Sequence, residues 1–203
     1  MVSIKQRPVT AAESLRKAGR SVSRSFRHQA TVLGGTAAVF WLVFAVNNVL
    51  GGMLNVFGVI PRTTIGLRGI FLAPFIHQRL DHILANTVPF LALGWMVMIR
   101  DSRHFLPVTV VSALGSGLFA WLFGAQNSVH IGASGVLFGY LGFLILGGWY
   151  ARSVLSVVMS IVVVAVWGGV VQGVMPGQAG VSWQSHLGGF VAGALAARAY
   201  RTR

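Results

Sequence analysis

Six apolar stretches run through this chain, at roughly 36–58, 82–99, 105–124, 134–150, 153–175 and 183–199. Each falls within the range of about 17–25 residues that helices use to span a hydrocarbon core of about 30 Å, the shortest of them with little to spare. Inside a bilayer the backbone must satisfy its own hydrogen bonds, so helix is the expected conformation of all six. The expected fold is therefore all-α, a polytopic membrane bundle of six transmembrane helices. Composition agrees: 55% of residues are hydrophobic, 9% are charged, and the mean hydropathy is +0.73. A soluble domain needs more polar surface than that. The 203 residues divide into a basic N-terminal arm (1–35), one six-helix membrane domain (36–199) and a short tail (200–203), with no room for a second folded domain. The connection at about 59–81 is apolar from Gly69 to Ile76 and is expected to lie partly in the membrane interface.

Charge sets the orientation. Sixteen Lys and Arg residues face three acidic ones, for a net charge of +13. Seven of the basic residues (Lys5, Arg7, Arg16, Lys17, Arg20, Arg24, Arg27) lie in the first thirty positions, against Glu13 alone. A cytoplasmic N-terminus would put thirteen of the sixteen inside and leave only Arg62, Arg68 and Arg79 outside. That is a strong positive-inside pattern, so the arm and the tail are both expected in the cytoplasm. The charge follows topology rather than one surface, so no nucleic-acid partner is expected. The arm suits anionic lipid headgroups. A bacterial inner membrane is the expected location. An organellar inner membrane is the alternative, because the Arg- and Ser-rich start also resembles a transit peptide. No cleavable secretory signal is recognisable ahead of the first span, which is expected to direct insertion itself.

In this orientation spans two, four and six all begin on the outer side. They open with His82 and Asn86, with Ser134, and with His186. The 16 residues from Gly135 to Tyr150 cover about 24 Å of helix, which sets Ser134 a few ångströms below the outer surface of a core of about 30 Å. His82 and Asn86 share one helix face, as do Ser134 and Phe138, while His186, Gly189 and Gly193 form one stripe. Gly135 with Gly139, and Gly189 with Gly193, are small-xxx-small pairs that let spans four and six approach closely. Close approach is what a Ser–His hydrogen bond requires.

These are the parts of a serine hydrolase: Ser134 as nucleophile and His186 as base. His82, the Asn86 amide and backbone N–H groups near Ser134 are donors suited to a developing oxyanion. Glu13, Asp81 and Asp101 are the only carboxylates, so the arrangement is a dyad, with Phe138 placed to orient the imidazole by stacking. Cysteine is absent, no H-E-x-x-H run occurs, and the spans carry no pair of carboxylates. Thiol, metal and aspartyl routes to proteolysis therefore find no residues, and no cofactor or metal is expected.

The remaining polar residues have plainer readings. His77 braces the loop against span two, and His28 and His104 are solvated on the cytoplasmic side. His130 is either a loop histidine or a pH-sensitive neighbour of the site. A metal site among His77, His82, His130 and His186 lacks a carboxylate partner, since Asp81 points away from His82. Asn47, Asn48 and Gln172 read as interhelical hydrogen bonds. The glycines of Trp167-Gly168-Gly169 suggest that span five loosens to admit a substrate laterally.

Gly132-Ala133-Ser134-Gly135 resembles the G-x-S-G motif of the rhomboid intramembrane serine proteases. His186-Leu187-Gly188-Gly189 with Gly193 is similar to their span-six pattern H-x-x-G-x-x-x-G, and His77, His82 and Asn86 are similar to the span-two signature. The likeness covers about residues 36–199. It implies Ser134 as nucleophile and His186 as general base and acid, with His82 and Asn86 in the oxyanion hole and Gly132, Gly135, Phe138 and Gly189 in support. It also implies substrates that are transmembrane helices of other proteins, cut near their outer ends. Leu67-Arg68 stands where the family often has Trp-Arg, and Phe138 where it often has Tyr. A catalytically silent member that binds membrane proteins is the first rival reading, and a small transporter the second.

Overall fold

The computed structural model describes residues 11–151, 153–178 and 180–200, so Lys5 and Arg7 of the arm, Arg152 and the end of the tail fall outside it. Among the described residues every regular element is helical, apart from one isolated antiparallel bridge between Val59 and His130. Helix α1 spans Ala11–Val49 and is followed by short 3₁₀ turns and the four-residue α2 (Gly69–Leu72). The long helices α3 (Leu80–Asp101), α4 (Phe105–Phe123), α5 (Ser134–Ala151), α6 (Val154–Trp167) and α7 (Trp183–Ala199) complete the bundle. Among the described residues four helical stretches are long and apolar enough to cross a membrane: Gly19–Val49, Leu80–Phe123, Ser134–Ala151 and Val154–Val174. The second of these holds α3 and α4, and the chain reverses between them. Gly124, just past α4, returns to the side of His130, close to the end where His82 of α3 lies against Gly132.

The first apolar stretch differs most from its helix. Gly51 and Gly52 adopt left-handed backbone at φ 61° and 86° and stop α1 at Val49. Hydropathy ran on to residue 58 because Met53, Leu54, Val56 and Phe57 keep the loop apolar. At its other end α1 already begins at Ala11, so the helix runs through the boundary drawn between arm and membrane domain at residue 35. Arg16, Lys17, Arg20, Arg24 and Arg27 are exposed along it. The buried Gln29 ties it to α3 by accepting from Trp95 Nε1 at 2.9 Å. In the following loop Arg68 lies over the Phe57 ring at 4.5 Å and donates to the Val56 carbonyl at 3.1 Å.

Helix α5 is the axis of the bundle, with Tyr140, Leu141, Phe143 and Leu144 almost wholly buried. Helix α7 is wedged between α5 and α4 with backbones in contact. A methyl group at Gly189 or Gly193 would collide with the carbonyl oxygen of Gly135 or Gly139, and one at Gly188 with that of Gly115. Helices gain little hydrophobic energy by associating in lipid, so such close packing is what holds them. Outward faces are strongly apolar: Val154 is 82% exposed and Ile161 63%. Lipid tails, not water, suit that surface.

Several polar residues sit otherwise than expected. Asn47 does not bridge helices. It fastens α1 to the next loop, with Oδ1 accepting from Leu54 N–H at 2.9 Å and Nδ2 donating to Asn55 Oδ1 at 3.0 Å and the His77 carbonyl at 3.2 Å. Asn48 donates to Phe44 of its own helix at 2.8 Å, and Gln172 is exposed in a 3₁₀ turn. His104 is not freely solvated, because the Tyr200 ring lies against it, tilted by 33° with ring centroids 4.7 Å apart. His28 is exposed, as expected.

Candidate active site

The segment before α5 places Ser134. Gly132 has φ 105°, a left-handed conformation that glycine adopts without steric cost. Its N–H donates to the Ala73 carbonyl at 2.8 Å, and the next N–H, of Ala133, points to His77 Nε2 at 3.4 Å. The loop after α2 thus holds the turn from which α5 starts, and Ser134 stands half-buried at its first position. Val136 and Leu137 N–H donate to the Ala133 carbonyl at 2.9 and 3.1 Å, while the N–H groups of Ser134 and Gly135 come too early in the helix to find an acceptor within it.

Helix α7 brings the imidazole. Ser182 caps it, its Oγ accepting from Ser185 N–H at 3.3 Å, and His186 follows one turn in, 8% exposed. His186 Nε2 lies 2.8 Å from Ser134 Oγ. On the opposite edge Nδ1 lies 2.9 Å from the carbonyl oxygen of Gly173, in the 3₁₀ turn Gly168–Val174 after α6. A carbonyl can only accept, so Nδ1 carries the proton and the neutral ring presents its Nε2 lone pair to the serine hydroxyl. The Phe138 ring stacks on the imidazole at 4.1 Å between centroids and 10° between planes. These contacts fix ring position, ring plane and tautomer without any carboxylate.

His82 and Asn86 approach from α3. Asn86 Nδ2 donates one hydrogen to the His82 carbonyl at 2.8 Å, leaving its second N–H available. A methyl group at Gly132 would press on His82 Nε2 and stand 3.8 Å from Asn86 Nδ2. Both side chains therefore converge on the residue two before Ser134. His77 is fully buried, with Phe40 and His82 around it at centroid distances of 5.6 and 5.1 Å, and burial lowers its pKa to about 4. It stays neutral and braces the turn. Asp81 pairs with Arg79 at 2.8 Å, out in solvent and away from the histidines.

Ser134, His186, Phe138, His82, Asn86 and Gly132 thus gather at one end of the bundle, and Gly135 and Gly189 hold α5 and α7 together beneath them. Two participants carried no sequence signal of their own. The Gly173 acceptor is backbone, hinted at only by the glycines after Trp167, and Ser182 is a common helix cap.

The Rhomboid domain model matches residues 64–203 of the sequence. The chain belongs to the rhomboid family. An uncharacterized protein of Mycobacterium tuberculosis is 40% identical to it over 179 residues, covering 82% of this chain and 75% of the relative. An uncharacterized protein of Mycobacterium leprae is 36% identical over 168 residues, covering 79% and 66%. RHOMBOID-like protein 4 of Arabidopsis thaliana is 32% identical over 131 residues, covering 60% and 31%. With its apolar helices, this rhomboid-family chain is an integral membrane protein.

Proposed function

We propose that this rhomboid-family protein is an intramembrane serine endopeptidase acting through a Ser134–His186 dyad. The observation that carries the reading is the 2.8 Å hydrogen bond between Ser134 Oγ and His186 Nε2, with the opposite nitrogen engaged by the Gly173 carbonyl. His186 Nε2 takes the hydroxyl proton as Ser134 Oγ attacks the scissile carbonyl carbon. The proton is then passed to the departing amine as the C–N bond breaks. Water, deprotonated by the same imidazole, later attacks the acyl-enzyme and frees the serine. Negative charge on the tetrahedral oxygen is met by His82, by the free Asn86 N–H and by backbone N–H at the start of α5. Such a donor is typically worth about 2.7–4 kcal/mol.

Substrates are transmembrane helices of other proteins. Their peptide bonds are shielded by helical hydrogen bonds, so local unwinding precedes attack and favours helix-destabilising residues near the cut. In this reading α1, α3, α4, α5, α6 with its 3₁₀ extension, and α7 are six membrane crossings. Both termini lie in the cytoplasm, and the basic face of α1 lies near anionic headgroups. A bacterial inner membrane fits that orientation, with an organellar inner membrane as the alternative.

The test is reconstitution of the full chain in proteoliposomes with a panel of labelled transmembrane peptides. Cleavage near one end of the peptides, abolished in Ser134→Ala and His186→Ala, is expected. Saturable binding of intact peptides with no cleavage by wild type would support the silent binder instead.

A further inference from the structure

His130 belongs to none of the groups just described, yet both its backbone and its ring are held by hydrogen bonds. Its backbone is pinned both ways to Val59, with each N–H donating to the other residue's carbonyl at 2.9 Å. Its ring spans two hydroxyls, with Nε2 lying 2.9 Å from Ser128 Oγ and Nδ1 2.6 Å from Ser182 Oγ. Ser128 Oγ is itself anchored on the Ala125 carbonyl at 2.6 Å, and Ser182 Oγ lies 2.8 Å from Ser185 Oγ. An unbroken chain of hydrogen bonds therefore runs from the loop that leads into Ser134 to the residue adjoining His186. Burial lowers the His130 pKa, which favours the neutral ring and gives each nitrogen a single donor or acceptor role.

We propose that His130 is a positioning residue that clamps the cap of α7 to the loop before α5 and so sets the register of the Ser134–His186 pair; this rests on the reading of that pair as catalytic. The clamp is needed because of how α7 is held elsewhere. Its glycines lie against α5 and α4 through van der Waals contact, which fixes separation but resists sliding along the helix axis only weakly. His186 sits in the first turn, where a helix frays most readily. Apart from the contacts of His186 itself, the other side-chain hydrogen bond found among the described residues from this end of α7 to a neighbouring helix is the exposed one from Gln184 Nε2 to the Phe123 carbonyl at 3.2 Å. The His130–Ser182 bond is partly buried and falls on the residue that caps α7.

Side-chain length makes the idea testable. An asparagine amide stands as far from Cβ as Nδ1 does, so His130→Asn keeps the reach to Ser182. His130→Gln reaches only as far as Nε2, toward Ser128. In the full-length protein in nanodiscs, fluorophosphonate labelling of Ser134 and kcat for peptide cleavage should fall about tenfold or more in His130→Ala and His130→Gln. KM should stay unchanged. His130→Asn should remain within about threefold of wild type. Ser182→Gly keeps a serviceable cap but loses the link; it should match His130→Ala, and the double variant should fall no further.

Amide exchange at Ser185 and His186 supplies a readout independent of activity, expected to rise about tenfold in the Ala and Gln variants but not in the Asn variant. Wild-type labelling in His130→Ala, equal behaviour of Gln and Asn, or additive losses in the double variant would each overturn the clamp. If wild type neither labels nor cleaves while the exchange pattern holds, the protease reading falls and the clamp on α7 stands. If wild type labels and exchange is the same in all variants, the reverse is true.

Discussion

Helices α5 and α6 are consecutive in the chain and are packed in opposite ways. The most apolar window of the α6 stretch has mean hydropathy 2.6 and is 17% buried, whereas that of α5 has hydropathy 1.4 and is 67% buried. The more hydrophobic helix is the one left outside. Burial in a membrane protein follows small residues and shape, because lipid tails solvate valine as well as a protein core does. Helix α5 presents Gly135 and Gly139 to α7, while α6 presents mostly valine and isoleucine to its surroundings. The candidate dyad straddles this contrast. Ser134 and His186 meet across the locked α5–α7 face, yet the acceptor for His186 Nδ1 comes from the looser turn after α6.

The largest effect should come from breaking the locked side. Gly189→Val drives a branched side chain into the Gly135 carbonyl, where neither backbone can yield, and should cost about 3 kcal/mol or more. Thermal unfolding in detergent would register this, and a variant as stable as wild type would deny that α5 and α7 are locked there. On the loose side, Gly173→Ala sets a methyl group 2.9 Å from the Phe138 ring and 3.1 Å from His186 Nδ1. It should lower fluorophosphonate labelling about tenfold, at a cost in unfolding free energy of less than about 1 kcal/mol. Hydrogen exchange sharpens the comparison further. Gly168–Val174 should exchange about tenfold faster than the interior of α5; equal protection would exclude this turn as a yielding wall for lateral access. The smallest effect belongs to Gly169→Ala, which meets no atom within 4 Å and should shift stability by less than about 0.5 kcal/mol.

The same contrast explains what could be read without coordinates. Ser134, His186, His82 and Asn86 are polar residues at the mouths of apolar stretches, and helical spacing fixed which of them share a face. The glycine pairs of α5 and α7 were legible for the same reason, since a residue without a side chain in a membrane helix marks close approach. The end of α1 was hidden because Gly51 and Gly52 break the helix inside a run that stays apolar to residue 58. The Gly173 carbonyl was hidden because a backbone acceptor has no letter of its own. His130 was visible as a histidine, but its partners Ser128 and Ser182 are 2 and 52 positions away, and only folding shows that both nitrogens are engaged. His104 reads as solvated from the sequence because Tyr200, whose ring lies against it, is remote in the chain.

The most direct measurement is fluorophosphonate labelling of the full-length protein in a bilayer, with the modified peptide identified by mass spectrometry. A reactive Ser134–His186 pair predicts a single adduct on Ser134, lost in Ser134→Ala and at least about a thousandfold slower in His186→Ala. A folded wild-type protein that takes up no label on Ser134, or one that labels at the same rate without His186, would contradict it.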